Sequence, residues 1–246
     1  MKLNIISEPL SAVVIIPTTG NPLARYAIES VINQTYKKTK ALVVVDGEKF
    51  AAKSNIMTMD YYSTEKVETV TLKTNVGSDG FYGHRIYAAF THLVNEDYIF
   101  YLDEDNWFDP EHVESQIDNI EKNNYDWSYS LRKICDRSGK HIVNDDCESL
   151  GKWKTYHGVN HADTSSYCLK KKTAIPVSSA WHGGWGQDRV FLATLDKYFP
   201  NYGCTGKYSL NYRIDGNEGS VTEDFFINGN SEMEKQYPNG FPWRKN

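Results

Sequence analysis

Tyr98-Ile99-Phe100-Tyr101-Leu102-Asp103-Glu104-Asp105 sets five apolar or aromatic side chains directly against three consecutive carboxylates. Five such residues without alternation read as a strand covered on both faces, the condition of strands in the parallel sheets of α/β proteins. Three adjacent carboxylates repel one another unless a cation or hydrogen-bond donors compensate. Hard divalent cations bind carboxylate oxygens and bridge to phosphates, so the triplet is a candidate metal site. The alternative is a solvated acidic turn in which Asp105 or Asp109 caps the next helix.

Working outward, residues 12–16 (Ala-Val-Val-Ile-Ile), 41–45 (Ala-Leu-Val-Val-Val) and 67–72 repeat the short β-branched pattern. Asn21-Pro22 offers a helix cap and a first-turn proline, and Leu23, Ala27, Ile28, Val31 and Ile32 follow at helical spacing. Residues 78–94 read as a glycine-rich turn entering a helix, and Asp109-Pro110 opens another with Val113, Ile117 and Ile120 on one face. Strand and helix therefore alternate over residues 12–125, the signature of a doubly wound, mostly parallel sheet flanked by helices. Residues 127–132 and 166–170 read as strands and residues 188–198 as a helix. From Pro200 onward Gly, Asn, Tyr and Pro dominate, and the expectation is an irregular, loop-rich tail. No repeat or linker divides the chain, so one α/β domain over 1–246 is expected.

With 246 residues, 40% hydrophobic and 24% charged, the chain can bury a substantial core. The net charge of −5 and the lack of any basic run longer than Lys170-Lys171-Lys172 weigh against a nucleic-acid surface. That Lys run reads as a solvated strand end, with a phosphate clamp as the alternative. Cys135, Cys147, Cys168 and Cys204 lack C-x-x-C spacing, so no structural zinc is expected. A Cys135–Cys147 disulfide is the alternative, but reduced thiols in a cytoplasmic protein are the better expectation. Residues 1–11 carry no apolar signal core, and no apolar run is long enough to span a membrane. The sequence carries no signal of oligomeric state.

Open α/β sheets bind ligands beyond the carboxyl ends of their strands. The residues at those ends are Pro17-Thr18-Thr19-Gly20, Asp46-Gly47, Asn75-Val76-Gly77 and the acidic triplet. No G-x-G-x-x-G follows the first strand and no P-loop occurs. Gly77, Gly80 and Gly83 precede a helix carrying His84 and Arg85, a weak phosphate signal that also suits a close turn. His157-x-x-x-His161, near Asp163, has metal-ligand spacing on a helix, but Gly158 and Asn160 favour a loop.

Taken in order, these segments resemble the GT-A-fold glycosyltransferases of the family-two type. Val14-Ile15-Ile16-Pro17-Thr18, Ala27-Ile28-Glu29-Ser30-Val31, Gln34-Thr35-Tyr36, Val45-Asp46-Gly47, Asn75-Val76-Gly77 with Arg85, and Asp103-Glu104-Asp105 at the D-x-D position carry the likeness. Trp185-Gly186-Gln187-Asp188 resembles the segment bearing the family's catalytic carboxylate, with Gln187 where Glu is commoner. In the tail, Asn211-Tyr212-Arg213, Gly219-Ser220-Val221, Phe225-Phe226, Gly229-Asn230 and Pro242-Trp243 are similar to bacterial and viral members.

The resemblance implies a single GT-A (Rossmann-like) domain. Residues 12–125 would form its nucleotide-sugar half and residues 126–246 its acceptor half. It implies transfer of a sugar from a nucleotide diphosphate donor, a UDP-sugar favoured, to a hydroxyl of a glycan or glycoconjugate, assisted by Mn²⁺ or Mg²⁺. Pro17, Thr18, Thr19, Asp46, Asn75, Arg85, Asp103, Glu104 and Arg213 would bind the donor. Asp105, with Asp103 and His182, would hold the metal. Asp188 would be the base of an inverting transfer, or would orient the donor sugar in a retaining one; it also suits a helix N-cap. Asp163, Trp181, Gly184 and Trp185 would face the acceptor, although Trp181 and Trp185 also suit core positions in a glycine turn, and Arg213 a surface one. Two other classes stay open. A sugar-nucleotide nucleotidyltransferase would carry a basic Gly-rich loop after strand one, where this chain has its first base only at Arg25. A non-enzymatic carbohydrate-binding module would explain the aromatics but not the carboxylate triplet.

Overall fold

The computed structural model describes residues 10–58, 64–214 and 221–244. Most of the 1–11 leader reading and the Gly219-Ser220 match fall outside the described residues.

The chain order is β1 (Ala12–Thr18), α1 (Ala24–Ile32), β2 (Thr39–Val45), α2 (Ala51–Thr58), β3 (Val67–Thr71), α3 (His84–Leu93), β4 (Tyr98–Tyr101), β5 (Trp107–Phe108), α4 (His112–Asn123), β6 (Trp127–Cys135), β7 (His141–Asn144), β8 (Tyr167–Lys170), α5 (Lys171–Val177), α6 (Gln187–Tyr198), β9 (Tyr202–Arg213) and α7 (Glu223–Gln236). Nine strands form one sheet in the order β3-β2-β1-β4-β8-β6-β9-β5, with β7 added to β6. β3, β2, β1 and β4 pair in parallel, as the alternation of strands and helices requires. Past β4 the sheet becomes mixed: β8 runs antiparallel to β4 and β6, while β9 lies parallel to β6 and antiparallel to β5.

Both faces are apolar. Val13, Ile15, Leu42, Val44, Ile99 and Tyr101 enter one core, with Tyr87 and Phe90 of α3 and Phe191 and Leu195 of α6. Ala12, Val14, Ile16, Ala41, Val43 and Phe100 enter the other, with Ile28 and Val31 of α1 and Val113, Ile117 and Ile120 of α4. Period-two alternation into two apolar layers is why the sequence shows unbroken hydrophobic runs.

The tail departs from expectation. In place of loops it forms the 12-residue β9 and the 14-residue α7. β9 conceals its burial behind polar letters: Ser209 and Asn211 are buried because Ser209 Oγ meets His112 Nδ1 at 2.9 Å and Asn211 Nδ2 donates to Asp109 Oδ1 at 2.9 Å. α7 contains Asn228, Gly229 and Asn230, all weak helix formers, yet packs Phe226 and Met233 into the core. Lys170 ends β8, while Lys171 and Lys172 open α5 instead of prolonging a strand end. All four cysteines are free and buried. No helix among the described residues is long and apolar enough to cross a membrane.

Candidate active site

β1 pairs with β2 on one side and β4 on the other, so the loops leaving β1 and β4 diverge. A crevice opens at that switch point, as open parallel sheets dictate. It encloses about 670 Å³. Pro17, Thr18, Thr19, Asp46 and Asn75 line one wall; Asp103, Glu104 and Asp105 lie at the end of β4; Arg132, Asp163, Asp188 and Arg213 line the other wall, with Trp185 beside them. Residues from nearly the whole length of the chain thus meet in one cleft.

The wall built from the first strands is rigid. Asp46 accepts the backbone N–H of Val76 at 2.7 Å and of Gly77 at 2.8 Å, clamping the 75–77 turn to the end of β2. Gly77 is required there, since a Cβ would stand 2.0 Å from Tyr82 O and 2.6 Å from Asp46 Oδ2. Glu104 turns back onto the loop after β1. Its carboxylate accepts from Thr18 Oγ1, from Thr19 N at 3.2 Å, from Thr19 Oγ1 at 3.2 Å and from Asn21 N at 3.3 Å. Although Glu104 borders the cleft, its oxygens are engaged in shaping that loop. Asn75 Oδ1 is buried with no partner. An orphaned acceptor of this kind costs about 1–3 kcal/mol unless a ligand donor meets it.

Asp103 sits deeper. Its backbone N–H donates to Ser165 Oγ at 3.1 Å, and its Oδ1 accepts from Tyr87 O–H at 2.8 Å. Burial, reinforced by the neighbouring charges of Asp163 and Asp105, pushes the Asp103 carboxyl up to about 8. The guanidinium of Arg213 does not answer that charge directly. It donates to the backbone oxygens of Asp105 at 3.1 Å and Arg137 at 2.7 Å and stacks over Trp107 at 4.7 Å. Hard carboxylate oxygens lining a polar cleft suit a divalent cation. Among the described residues no three or more His, Cys, Asp or Glu converge as a complete metal cage. A site of one or two carboxylates whose shell is finished by a ligand's phosphates fits that arrangement.

The opposite wall holds a polar network that sequence reasoning missed. Arg132 of β6 is buried between two carboxylates, Asp145 Oδ2 at 2.7 Å from Nε and Asp163 Oδ2 at 2.6 Å from Nη1. Burial opposes the charge of Arg132, but these two partners more than restore it. Asp163 also caps the turn at residues 164–166, accepting from Ser165 N at 2.8 Å. Beside it, His161 Nε2 lies 2.7 Å from Asp188 Oδ2, and His161 Nδ1 lies 3.1 Å from Glu148 Oε1. Arg189 Nη2 donates to Glu148 Oε1 at 3.0 Å. Asp188 falls in the first turn of α6. Burial raises its carboxyl, but the hydrogen bond from His161 and the nearby cations hold it below the usual carboxylate range. An arginine in a strand that also carries Trp127, Tyr129, Leu131 and Ile134 was a legible sign of buried partners. Glu148 and His161 left no such sign, because a loop residue's partners are set by the fold.

Four expected residues are placed elsewhere. Trp181 does not face an acceptor: it is fully buried, stacked 4.0 Å from Phe191 and 5.7 Å from His84. Its ring also packs against Tyr87, Tyr101 and Tyr167, so the indole belongs to an aromatic cluster of the core. Arg85 covers Phe81 at 3.2 Å and donates to Val76 O at 3.2 Å, behind the cleft wall. His182 is exposed against Phe81, apart from the acidic residues that line the cleft. Gly184 packs toward Gly80. Trp185, by contrast, borders the cleft and is 83% exposed. His157 and His161 lie in a loop, and only His161 reaches the cleft.

The family model described as glycosyl transferase family 2 matches residues 13–175. No curated protein matches. Among solved structures, S. aureus TarS 1-349 in complex with UDP-GlcNAc superimposes with a TM-score of 0.63 at 13% identity, covering 92% of this chain and 67% of that one. The same protein in complex with UDP gives 0.64 at 12% identity, covering 94% and 66%. S. aureus TarS gives 0.58 at 10% identity, covering 96% and 44%. The chain thus spans about two thirds of the shorter TarS structures and under half of the longer one.

Proposed function

Because the chain belongs to glycosyl transferase family 2, we propose that the cleft between β1 and β4 binds a nucleotide diphosphate sugar, a UDP-sugar foremost, and passes the sugar to a hydroxyl of a glycan or glycoconjugate. One observation carries this reading. Asp103 and Asp105, at the end of β4, and Asp188, at the start of α6, line the same cleft at the topological switch point. The TarS complexes with UDP and UDP-GlcNAc share this fold, which supports the choice of donor class. Four buried thiols support a reducing, cytoplasmic setting.

The residues divide into two walls with distinct tasks. Pro17, Thr18, Thr19, Asp46 and Asn75 receive the nucleoside, and the unpartnered Oδ1 of Asn75 accepts an N–H from the base. Glu104 and Asp46 fix the two loops, so that little order is lost when the nucleotide arrives. Asp103 and Asp105 are the residues that would hold Mn²⁺ or Mg²⁺. When bound, such a cation neutralises charge developing on the leaving diphosphate. Arg213, whose guanidinium donates to the backbone oxygen of Asp105, adds fixed positive charge there from the other wall.

On the other wall, Asp163 and Arg132 bind sugar hydroxyls, and Trp185 offers an exposed ring for stacking an acceptor sugar. Asp188 is the base. As the acceptor oxygen bonds to the anomeric carbon, the bond from that carbon to the diphosphate oxygen breaks and its electron pair leaves with the diphosphate. The acceptor's proton passes to Asp188. This single displacement inverts configuration, and a carboxylate of low basicity serves if the proton moves late.

Calorimetric titration with UDP, GDP and dTDP, with and without Mn²⁺, tests the donor site in the wild type and in Asp105→Ala. The expected result is Mn²⁺-dependent binding of UDP that weakens at least about 10-fold in the variant, since even outer-shell changes at metal sites cost that much. Folded protein that binds none of the three nucleotides overturns the proposal.

A further inference from the structure

His161 is 4% exposed, and both of its ring nitrogens face acceptors only. Nε2 lies 2.7 Å from Asp188 Oδ2. Nδ1 lies 3.1 Å from Glu148 Oε1 and 3.3 Å from the Glu148 backbone oxygen. A neutral imidazole carries one N–H and one lone pair, so in either tautomer a lone pair would point at a carboxylate. The geometry calls for both N–H groups at once: an imidazolium bridging two carboxylates.

The groups packed around the ring agree. Glu148 faces it from the loop after β7, and Asp188 from α6. Two cations lie at the edge of this cluster, Arg189 of α6 on Glu148 and Arg132 of β6. Burial works against the imidazolium, but the hydrogen bonds it donates to Asp188 and Glu148 outweigh it and push the ring up to about 9. Asp188 is held at both oxygens: Oδ2 by His161, and Oδ1 by the Arg189 backbone N–H at 2.8 Å. Its side chain nonetheless keeps 23% exposure at the cleft.

We propose that His161, anchored by Glu148, is a positioning residue that pins the Asp188 carboxylate in its ionised state and in one orientation for proton uptake from the acceptor. The inference rests on the reading of Asp188 as base. His161 cannot itself receive the proton, because both nitrogens already carry one. Its contribution is orientation and charge. Loss of the ring proton at alkaline pH would turn a lone pair toward Glu148 or Asp188 and release the pin.

Two measurements on the full chain test this. The first follows the His161 ring Cε1–H signal by NMR against pH, assigned by its loss in His161→Gln. The expected ring stays protonated through pH 8 in the wild type and titrates lower in Asp188→Asn, which has lost the counter-charge. The second follows turnover of UDP-GlcNAc, by transfer or slow hydrolysis, against pH. The wild type should lose activity as pH rises through about 9, and His161→Gln should lack that limb. The variant should also show kcat roughly 10- to 100-fold lower, as small misplacements of a reacting group do, with UDP affinity unchanged. A ring that is neutral at pH 7, or a variant with the wild-type alkaline limb and kcat, overturns the proposal. Full turnover by Asp188→Asn sinks the reading of Asp188 as base, and the NMR titration reports on the pair independently of that result.

Discussion

Arg132 shows how one residue ties the stability of the molecule to its chemistry. It satisfies Asp145 and Asp163, and Asp145 in turn accepts from the backbone N–H groups of Cys147, Glu148 and Ser149. Arg132→Met removes the cation and strands two buried carboxylates, a change that costs about 3–5 kcal/mol. Urea unfolding at neutral pH checks that figure. The pH dependence has a fixed sign. Burial alone would raise the Asp145 carboxyl, but Arg132 and the backbone donors bring it below its usual range. Its contribution is therefore present above the ordinary carboxylate pKa and fades as pH falls through the lowered one. The acid-side slope of stability should accordingly be shallower in Arg132→Met than in the wild type. At this scale the sequence was legible where residue type alone carries chemistry. Asp46, Asp103, Asp105, Asp163 and Asp188 stand at strand or helix ends, and the fold brings them to the borders of one cleft. His161 was not legible. Its partners lie 13 and 27 residues away, and only the path of the intervening chain makes them neighbours.

Among the elements, those with one hydrophobic period could be read and those held by polar partners could not. β1, β2 and β4 announce themselves because both of their faces meet apolar layers. α7 does not, because its fit depends on close approach at a glycine and on side-chain hydrogen bonds. Gly229 lets the helix lie against Cys147, where a Cβ would come within 2.7 Å of the sulfur and 2.9 Å of its Cβ. Asn230 accepts from Asp146 N at 2.9 Å and donates to Asn144 O at 2.7 Å. Helix propensity penalises both residues, and tertiary contact overrides it. Gly229→Val should therefore destabilise by about 1–3 kcal/mol, the usual result of overpacking, although valine is the better helix former. Thermal melting of the variant decides between the two effects, and a raised Tm would show that the α7–Cys147 contact is not tight.

For the whole molecule, the continuous sheet means that ligands on either wall report on global stability. UDP with Mn²⁺ at about 100 times its Kd should stabilise the chain by about 2.7 kcal/mol, read as a rise in Tm that Asp105→Ala loses. His161 adds a second global signature. Its folded pKa stands above the ordinary histidine value of 6.5, at about 9. The associated stabilisation is full below pH 6.5 and is lost as pH rises through about 9. Guanidinium midpoints measured across that window should fall in the wild type and stay flatter in His161→Gln. The doubly wound half of this architecture was readable from periodicity alone. The mixed half was not, because β6, β8 and β9 find their partners across long stretches of chain.

The carboxylate of Asp146 is held by Trp243 Nε1 at 2.6 Å and by Arg244 and the hydroxyl of Tyr208. Asp146 stands two residues before Glu148, the anchor of His161. A ribosome delivers the first wall of the cleft early and residues 243–244 some two hundred codons after β1. The last of the contacts that hold the segment carrying Glu148 therefore forms only once Trp243 and Arg244 have emerged. Translation thus completes the support behind His161 late, after the strand ends that line the cleft have been made.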